Sequence, residues 1–291
     1  MITVSVIIVN YRTYNLTVAA VDAVHRVLKG YSYEVIVIDN HSNDESYDRL
    51  LALTNANTHI YKTPKNGGFG YGNNYGVCRS SGKYLFFLNS DTILYDHILM
   101  DMIEYIESHK EIGVMSCLME NGDGVPLVIS HRFETLKTLF LQTIIKPIVP
   151  QKIQDRRAKI NHISFFGRVT DCDWVSGAAM LMPRKVFDQV GGWNGLFFMY
   201  MEDEELCLRV HRSGYKVVVY PQLGLRHLIG KSGGSSFVAY EKYKSSKLYF
   251  RMVKAGPVFL INFLIYLQAW GYMKKIGYRT KINVIKRLIK V

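Results

Sequence analysis

With 291 residues, 48% of them hydrophobic, the chain is long enough to bury one large core plus an appendage and too apolar to be disordered. Its net charge of +12 is concentrated at one end: Lys242 to Val291 hold 12 of the 36 basic residues and no acidic one, so the 24 basic residues before them balance all 24 acidic ones. A neutral body argues against nucleic-acid binding, and the apolar residues interleaved with the basic tail favour an anionic lipid surface as its partner.

Met1 to Val9 enters an apolar run with no basic n-region or small-residue cleavage site, so it does not read as a secretory signal. Short β-branched runs then alternate with longer stretches of helical spacing. Val4–Val9, Glu34–Ile38, Thr58–Tyr61, Tyr84–Leu88 and Gly113–Cys117 read as strands; Leu16–Leu28, Glu45–Leu53, Gly72–Arg79 and His97–Glu107 read as helices, with Asn15 and Asp44 as candidate caps. The pattern predicts an α/β fold with an open, doubly wound, mostly parallel sheet. Ligands of such sheets bind beyond the carboxyl ends of the strands. There the sequence places Asn10-Tyr11, Asp39-Asn40, Lys65-Asn66-Gly67-Gly68 and Asn89-Ser90-Asp91. Each could be an ordinary turn, but four polar clusters at one sheet edge point to a site.

From about Glu120 to Asp171 the periodicity fades, with Pro126, Pro147, Pro150 and a basic cluster at Lys152, Arg156, Arg157 and Lys159, which predicts an insertion with short helices. Regularity returns at Trp174–Met182, followed by a helix over Arg184–Gln189, a Gly191-Gly192 turn, an acidic helix from Glu202 and a strand over Lys216–Tyr220. The tail after Phe237 reads as two helices broken at Gly256-Pro257. Residues 1–236 and 237–291 are thus the expected domain and appendage. Cys78, Cys117, Cys172 and Cys207 form no C-x-x-C pair and read as reduced residues of a cytosolic protein.

Asn66 to Asn74 is a glycine-rich loop entering a helix, of the kind that lets backbone amides approach a phosphate or base. It lacks the G-x-G-x-x-G spacing, since Asn73 stands where the last glycine would fall, and it follows the third strand; a nicotinamide enzyme is disfavoured. Gly224 to Ser232 misses the phosphate-loop spacing by one residue. Asp91, closing an apolar strand, with His227 as a second ligand, could hold Mg2+ or Mn2+ on a diphosphate, because phosphate and water complete the octahedron. Glu202-Asp203-Glu204-Glu205 could be a solvated helix start favoured by the helix dipole. The apolar Leu196–Met201 before it instead places the first acids in a partly desolvated cleft suited to general-base work.

In this order Val6–Tyr11, Val37–Asn40, Asn66–Asn74, Leu88–Thr92, Ser176–Met180, Gly191–Trp193, Tyr200–Cys207 and His227-x-x-Gly230-x-Ser232 resemble family 2 glycosyltransferases, especially the rhamnosyltransferase branch. The resemblance covers nearly all of residues 3–235. It implies a GT-A fold with the nucleotide of a nucleotide diphosphate sugar beyond the first four strands. Asn10, Tyr11 and Asp39 would meet base and ribose; Asn66, Gly67, Gly68, Asn73, Asn74, Asn89 and Asp91 would line the donor site. Asp91 and His227 would hold the metal, and Asp203, with Glu202 as the alternative, would deprotonate the acceptor hydroxyl in an inverting transfer. Trp174, Ser176 and Gly177 would floor the acceptor site. Asn89 stands where the family often has the first aspartate of D-x-D. The resemblance further suggests deoxythymidine-diphosphate rhamnose as donor and a polyprenyl-linked saccharide acceptor at the cytoplasmic face of a membrane. Other readings are a different nucleotide sugar, a nucleotidyltransferase, whose glycine- and arginine-rich first loop is missing here, or a non-catalytic sugar-binding module.

In the tail, Val258–Tyr272 is apolar but interrupted by Asn262 and Gln268, too short for the about 20 apolar residues of a membrane span. With Lys274, Lys275, Arg279, Lys281, Lys286, Arg287 and Lys290 behind it, it fits an interfacial helix. A packed helix or a contact between copies of the chain is the alternative.

Overall fold

The computed structural model describes residues 2–95, 97–127, 130–150, 167–228, 236–273 and 277–291. The basic cluster at Lys152, Arg156, Arg157 and Lys159, the motif positions Gly230 and Ser232, and Lys274 and Lys275 lie outside the described residues.

The near-continuous apolar runs form the centre of the sheet, as strands covered on both faces must. β1 (Val4–Asn10) lies between β2 (Tyr33–Asp39) and β4 (Tyr84–Asn89), with β3 (Thr58–Lys62) outside β2, all parallel. The intervening chain forms α1 (Tyr14–Val27), α2 (Ser46–Leu50) and α3 (Phe69–Val77). Asn15 does not cap α1, because it falls inside the first turn. Asn10 supplies the acceptor instead, its Oδ1 receiving the Thr13 N–H at 3.3 Å and the hydroxyls of Thr13 and Thr17 at 3.1 and 2.8 Å. Asp44 does accept from the Ser46 N–H at 2.9 Å at the start of α2.

Beyond β4 the sheet becomes mixed. β5 (Thr92–Leu94), α4 (Ile98–Ser108) and β6 (Ile112–Asn121) follow, and β6 leads into β7 (Ser130–His131) and α5 (Leu136–Phe140). The chain returns through β8 (Thr170–Cys172), β9 (Trp174–Val175) and β10 (Ala179–Pro183), then α6 (Arg184–Val190), α7 (Glu202–Arg212) and β11 (Lys216–His227). The strand order is β3-β2-β1-β4-β10-β6-β11-β5, with β8 also on β11 and β7 paired to β9. The stretch Trp174–Met182 is therefore two strands. The insertion leaves and re-enters at the carboxyl edge of the sheet, so β10 has to run back antiparallel between β4 and β6.

The tail holds three described helices where the sequence pattern suggested two: α8 (Ser236–Met252), α9 (Val258–Tyr272) and α10 (Tyr278–Ile289). They enclose a second core that also takes in Leu139 and Phe197 from the preceding chain. Lys247 is buried among them, donating to the Tyr266 hydroxyl at 3.0 Å and the Leu288 carbonyl at 2.5 Å. Among the described residues no helix is long and apolar enough to cross a membrane. The outer face of α9 leaves Phe259 78% and Phe263 57% exposed, next to exposed Phe140 and Leu141.

Glycines in α3 set how closely it lies on the sheet. A Cβ at Gly72 would stand 2.9 Å from Val9 Cγ1, and one at Gly76 would stand 2.6 Å from Ile7 Cγ2. Gly271 in α9 has nothing within 4 Å of such a position. Gly76→Ala is therefore expected to destabilise the protein by about 1–3 kcal/mol through overpacking, despite its better helix propensity. Gly271→Ala should stabilise it by up to about 1 kcal/mol. Urea unfolding of the two variants against the parent checks the opposite signs.

Candidate active site

Asn10 and Asp39 end adjacent parallel strands and face each other. The Asn10 amide donates to Asp39 Oδ2 at 2.8 Å, and Asp39 Oδ1 accepts the Ser42 N–H at 2.9 Å. Both are fully buried, so in this structure they brace the loops after β1 and β2. Tyr11, one residue on, is 40% exposed at the same edge. The Asn40 amide joins these loops to the next by donating to Asn66 Oδ1 and to the Gly68 carbonyl, both at 3.0 Å.

The glycine-rich loop packs closely against the chain before α7. Gly68 has φ +91, and a Cβ there would stand 2.0 Å from the Phe198 carbonyl oxygen, which accepts the Phe69 N–H at 2.9 Å. A side chain at Gly70 would press on Trp193. Asn74 is committed on both sides, donating to the Trp193 carbonyl at 2.8 Å and accepting its N–H at 3.0 Å. The buried Asn73 donates to the Phe69 carbonyl at 3.1 Å. These residues dock the loop onto the chain that leads into α7. Asn66, Gly67, Phe69, Tyr71 and Asn74 stay partly exposed.

Asn89 and Ala178 connect the two halves of the site: the Asn89 N–H donates to the Ala178 carbonyl at 2.9 Å in the β4–β10 pair. Two residues past Asn89, Asp91 Oδ1 lies 3.1 Å from His227 Nε2. The antiparallel pairing of β5 with the end of β11, which sets Thr92 opposite His227, brings these distant residues together. The two are at hydrogen-bond distance from each other, and a carboxylate oxygen beside an imidazole nitrogen is a donor set that Mg2+ or Mn2+ accepts, so these are the residues that would hold such an ion. Among the described residues no group of three or more His, Cys, Asp or Glu side chains forms a closed metal cluster.

On the other side of Ala178, the Gly177 N–H donates to Asp203 Oδ2 at 3.2 Å, while Asp203 Oδ1 accepts the Glu204 N–H at 3.0 Å. Tyr200 and Met201 both have φ +68, a left-handed conformation costly for bulky side chains. That bend starts α7 with its acids turned toward a cleft of about 510 Å3. Asn89, Trp174, Ser176, Gly177, Glu202 and Asp203 all line it. One face of Trp174 is taken by His131, stacked at 4.2 Å.

The three acids differ in their surroundings. Burial pushes the Glu202 carboxyl well above its usual range, helped by Asp203, and its buried Oε2 has no hydrogen-bond partner among the described residues. Burial also raises Asp203, but the Gly177 and Glu204 N–H groups hold it down. Glu204, raised to about 8 by burial, accepts the Glu134 N–H at 2.6 Å through Oε1.

Sequence reasoning missed Glu134 and Lys242, which line the same cleft from the insertion and from α8. Neither segment carries a periodic or spacing signal pointing to the sheet edge.

Glu204 supplies a test of this burial. With its folded pKa raised from 4.5 to about 8, it contributes stability that is full below about pH 4.5 and lost as pH rises to about 8. Gln in its place cannot ionise, so Glu204→Gln should flatten the fall in thermal midpoint between pH 5 and about 8, read by melts across that range.

The profile of glycosyl transferase family 2 matches residues 5–175, and that of glycosyl transferase family 21 matches residues 158–261. Rhamnosyltransferase WbbL of Escherichia coli K12 is 29% identical over 177 residues, 58% of this chain and 64% of its own, so the chain spans just under two thirds of that relative. An N-acetylglucosaminyl-diphospho-decaprenol L-rhamnosyltransferase of Mycobacterium tuberculosis is 36% identical over 73 residues, 24% of each chain. The mannosyltransferase PcManGT of Pyrobaculum calidifontis, solved with GDP-Man and Mn2+, superposes with a TM-score of 0.59 at 13% identity, covering 99% of this chain and 75% of the other. The sheet, the order of the site motifs and a family match over more than half the chain agree: the protein belongs to glycosyl transferase family 2 and has the GT-A fold.

Proposed function

We propose that the protein transfers a sugar from a nucleotide diphosphate to an acceptor hydroxyl with inversion at the anomeric carbon. The observation that carries this reading is the short chain of contacts Asp203, Gly177, Ala178, Asn89, which sets a carboxylate beside the strand that ends at the Asp91–His227 pair. Asp203 takes the acceptor's proton as the hydroxyl oxygen forms its bond to the anomeric carbon and the bond to the diphosphate breaks. Glu202, whose carboxyl burial pushes well above its usual range, lines the same cleft beside it. Asp91 and His227 would hold Mg2+ or Mn2+, which when bound offsets the charge left on the nucleoside diphosphate. Tyr11, Asn66 and Gly67, partly exposed at the edge of β1 and β3, meet the nucleotide, while the buried Asn10 and Asp39 fix the loops that carry those contacts. Trp174, Ser176 and Gly177 border the acceptor.

The rhamnosyltransferase names among the relatives favour a deoxythymidine-diphosphate rhamnose donor, and the decaprenol-linked substrate in one of those names favours a lipid-linked saccharide acceptor. The basic, acid-free tail and the exposed apolar face of α9 suit attachment to the anionic inner face of a cell membrane.

Asp203→Asn should reduce transfer by at least about a thousandfold while leaving nucleotide affinity within about twofold, since the amide fills the same space but accepts no proton. Turnover with a nucleotide-sugar panel, alongside calorimetric titration of nucleoside diphosphate, separates the two effects; near-parental turnover would remove Asp203 from this role. Asp91→Ala and His227→Ala should each weaken nucleoside diphosphate binding about tenfold or more with Mn2+ present and have little effect in chelator. Full parental activity in excess chelator would overturn the metal role.

A further inference from the structure

The cleft contains a cation that sugar transfer to a neutral hydroxyl does not call for. Lys242, on α8, lines it together with the catalytic acids, with Gln142, Ser246 and Gln268 around it. Its side chain is only partly exposed, and its Nζ lies 5.0 Å from the centroid of the Tyr272 ring and 5.7 Å from that of Tyr243. Burial lowers the lysine's pKa; Glu134 opposes that shift and Lys146 adds to it. A desolvated ammonium is costly unless an anion meets it.

Its position also selects the kind of anion. Tyr272 is 39% exposed on the same helix as Phe263 and Leu267, both exposed as well. Gln268, adjacent to Leu267, reaches the cleft lining. The insertion side repeats this arrangement, with Leu139 and Gln142 in the lining and Phe140 and Leu141 exposed beside them. Lys242 therefore stands where the acid-bearing cleft meets an exposed apolar surface. An amphiphile fits that boundary: its sugar reaches toward Asp203, its phosphate meets the ammonium, and its hydrocarbon chain lies on α9 and the segment after α5.

We propose that Lys242 binds the phosphate of a lipid-linked acceptor, making α8 and α9 the acceptor-phosphate wall of the cleft. The proposal rests on the glycosyltransferase reading only for the word acceptor. Binding of a prenyl phosphate is measurable without donor or turnover, so the two can fail separately.

The test is calorimetric titration of the full chain with farnesyl phosphate, farnesol and inorganic phosphate, in chelator so that no cation at Asp91–His227 recruits the phosphate. Lys242→Gln should weaken farnesyl phosphate about tenfold or more, Lys242→Arg should stay within about threefold of the parent, and farnesol should bind all three alike. Inorganic phosphate should bind the parent far more weakly than farnesyl phosphate. Unchanged nucleoside diphosphate affinity of Lys242→Gln with Mn2+ shows that the variant is folded and that the lysine is not a donor contact. Equal farnesyl phosphate affinity in parent and Lys242→Gln overturns the proposal. So does inorganic phosphate binding as tightly as the prenyl form, which would make free phosphate the ligand, or loss of nucleoside diphosphate binding in Lys242→Gln, which would move the lysine to the donor side.

Discussion

The hydrogen bond from the Gly177 N–H to Asp203 ties a helix start to the sheet. Gly177 precedes β10, and β10 is held against β4 by the bond from Asn89 to Ala178, so the position of the carboxylate follows from a backbone ladder rather than from flexible side chains. The same ladder puts Asp203 beside the strand that leads to Asp91. Had β10 entered the sheet parallel to β4, its start would lie at the opposite edge and the acids of α7 would have no partner here.

Holding acids at this place is expensive, and the cost is distributed. The positive end of α7 favours carboxylates at its first turn, which opposes the burial that raises Glu202, Asp203 and Glu204. Left-handed Tyr200 and Met201 supply the bend, and the loop they belong to is pinned from below by the contact of Gly68 with Phe198. The glycines of Asn66–Asn74 thus serve the acids indirectly: they let α3 sit low on β1 and let the loop touch the chain entering α7.

Much of the sheet was readable because its strands are apolar runs ended by polar turn residues, and the ends gathered at one edge as doubly wound sheets require. The Asp91–His227 pair was legible as two residue types, and the β5–β11 pairing supplied the proximity that sequence distance hides. The glycine-rich loop was harder to read, since a glycine needed for a neighbour's backbone looks the same in sequence as one needed for a phosphate. Asn10 read as a ligand contact because Asn at a strand end can do that or brace a turn; its three accepted bonds and its bond to Asp39 show the bracing, which the sequence did not reveal. Glu134 and Lys242 could not be found from sequence, because one lies in an aperiodic insertion and the other on a helix whose charge read as part of a basic tail facing an anionic lipid surface.

The shared second core has a consequence for how the two sides of the site come into being. Strands β1 to β4 are made by residue 89, but the Asn66–Asn74 loop between them docks on Trp193 and Phe198, and the opposite wall of the cleft comes from α8 and α9, which also close over Phe197 and Leu139. During synthesis the first four strands therefore precede the segment that docks their glycine-rich loop by a time of the order of ten seconds. Both walls of the cleft acquire their final support only late in the making of the chain.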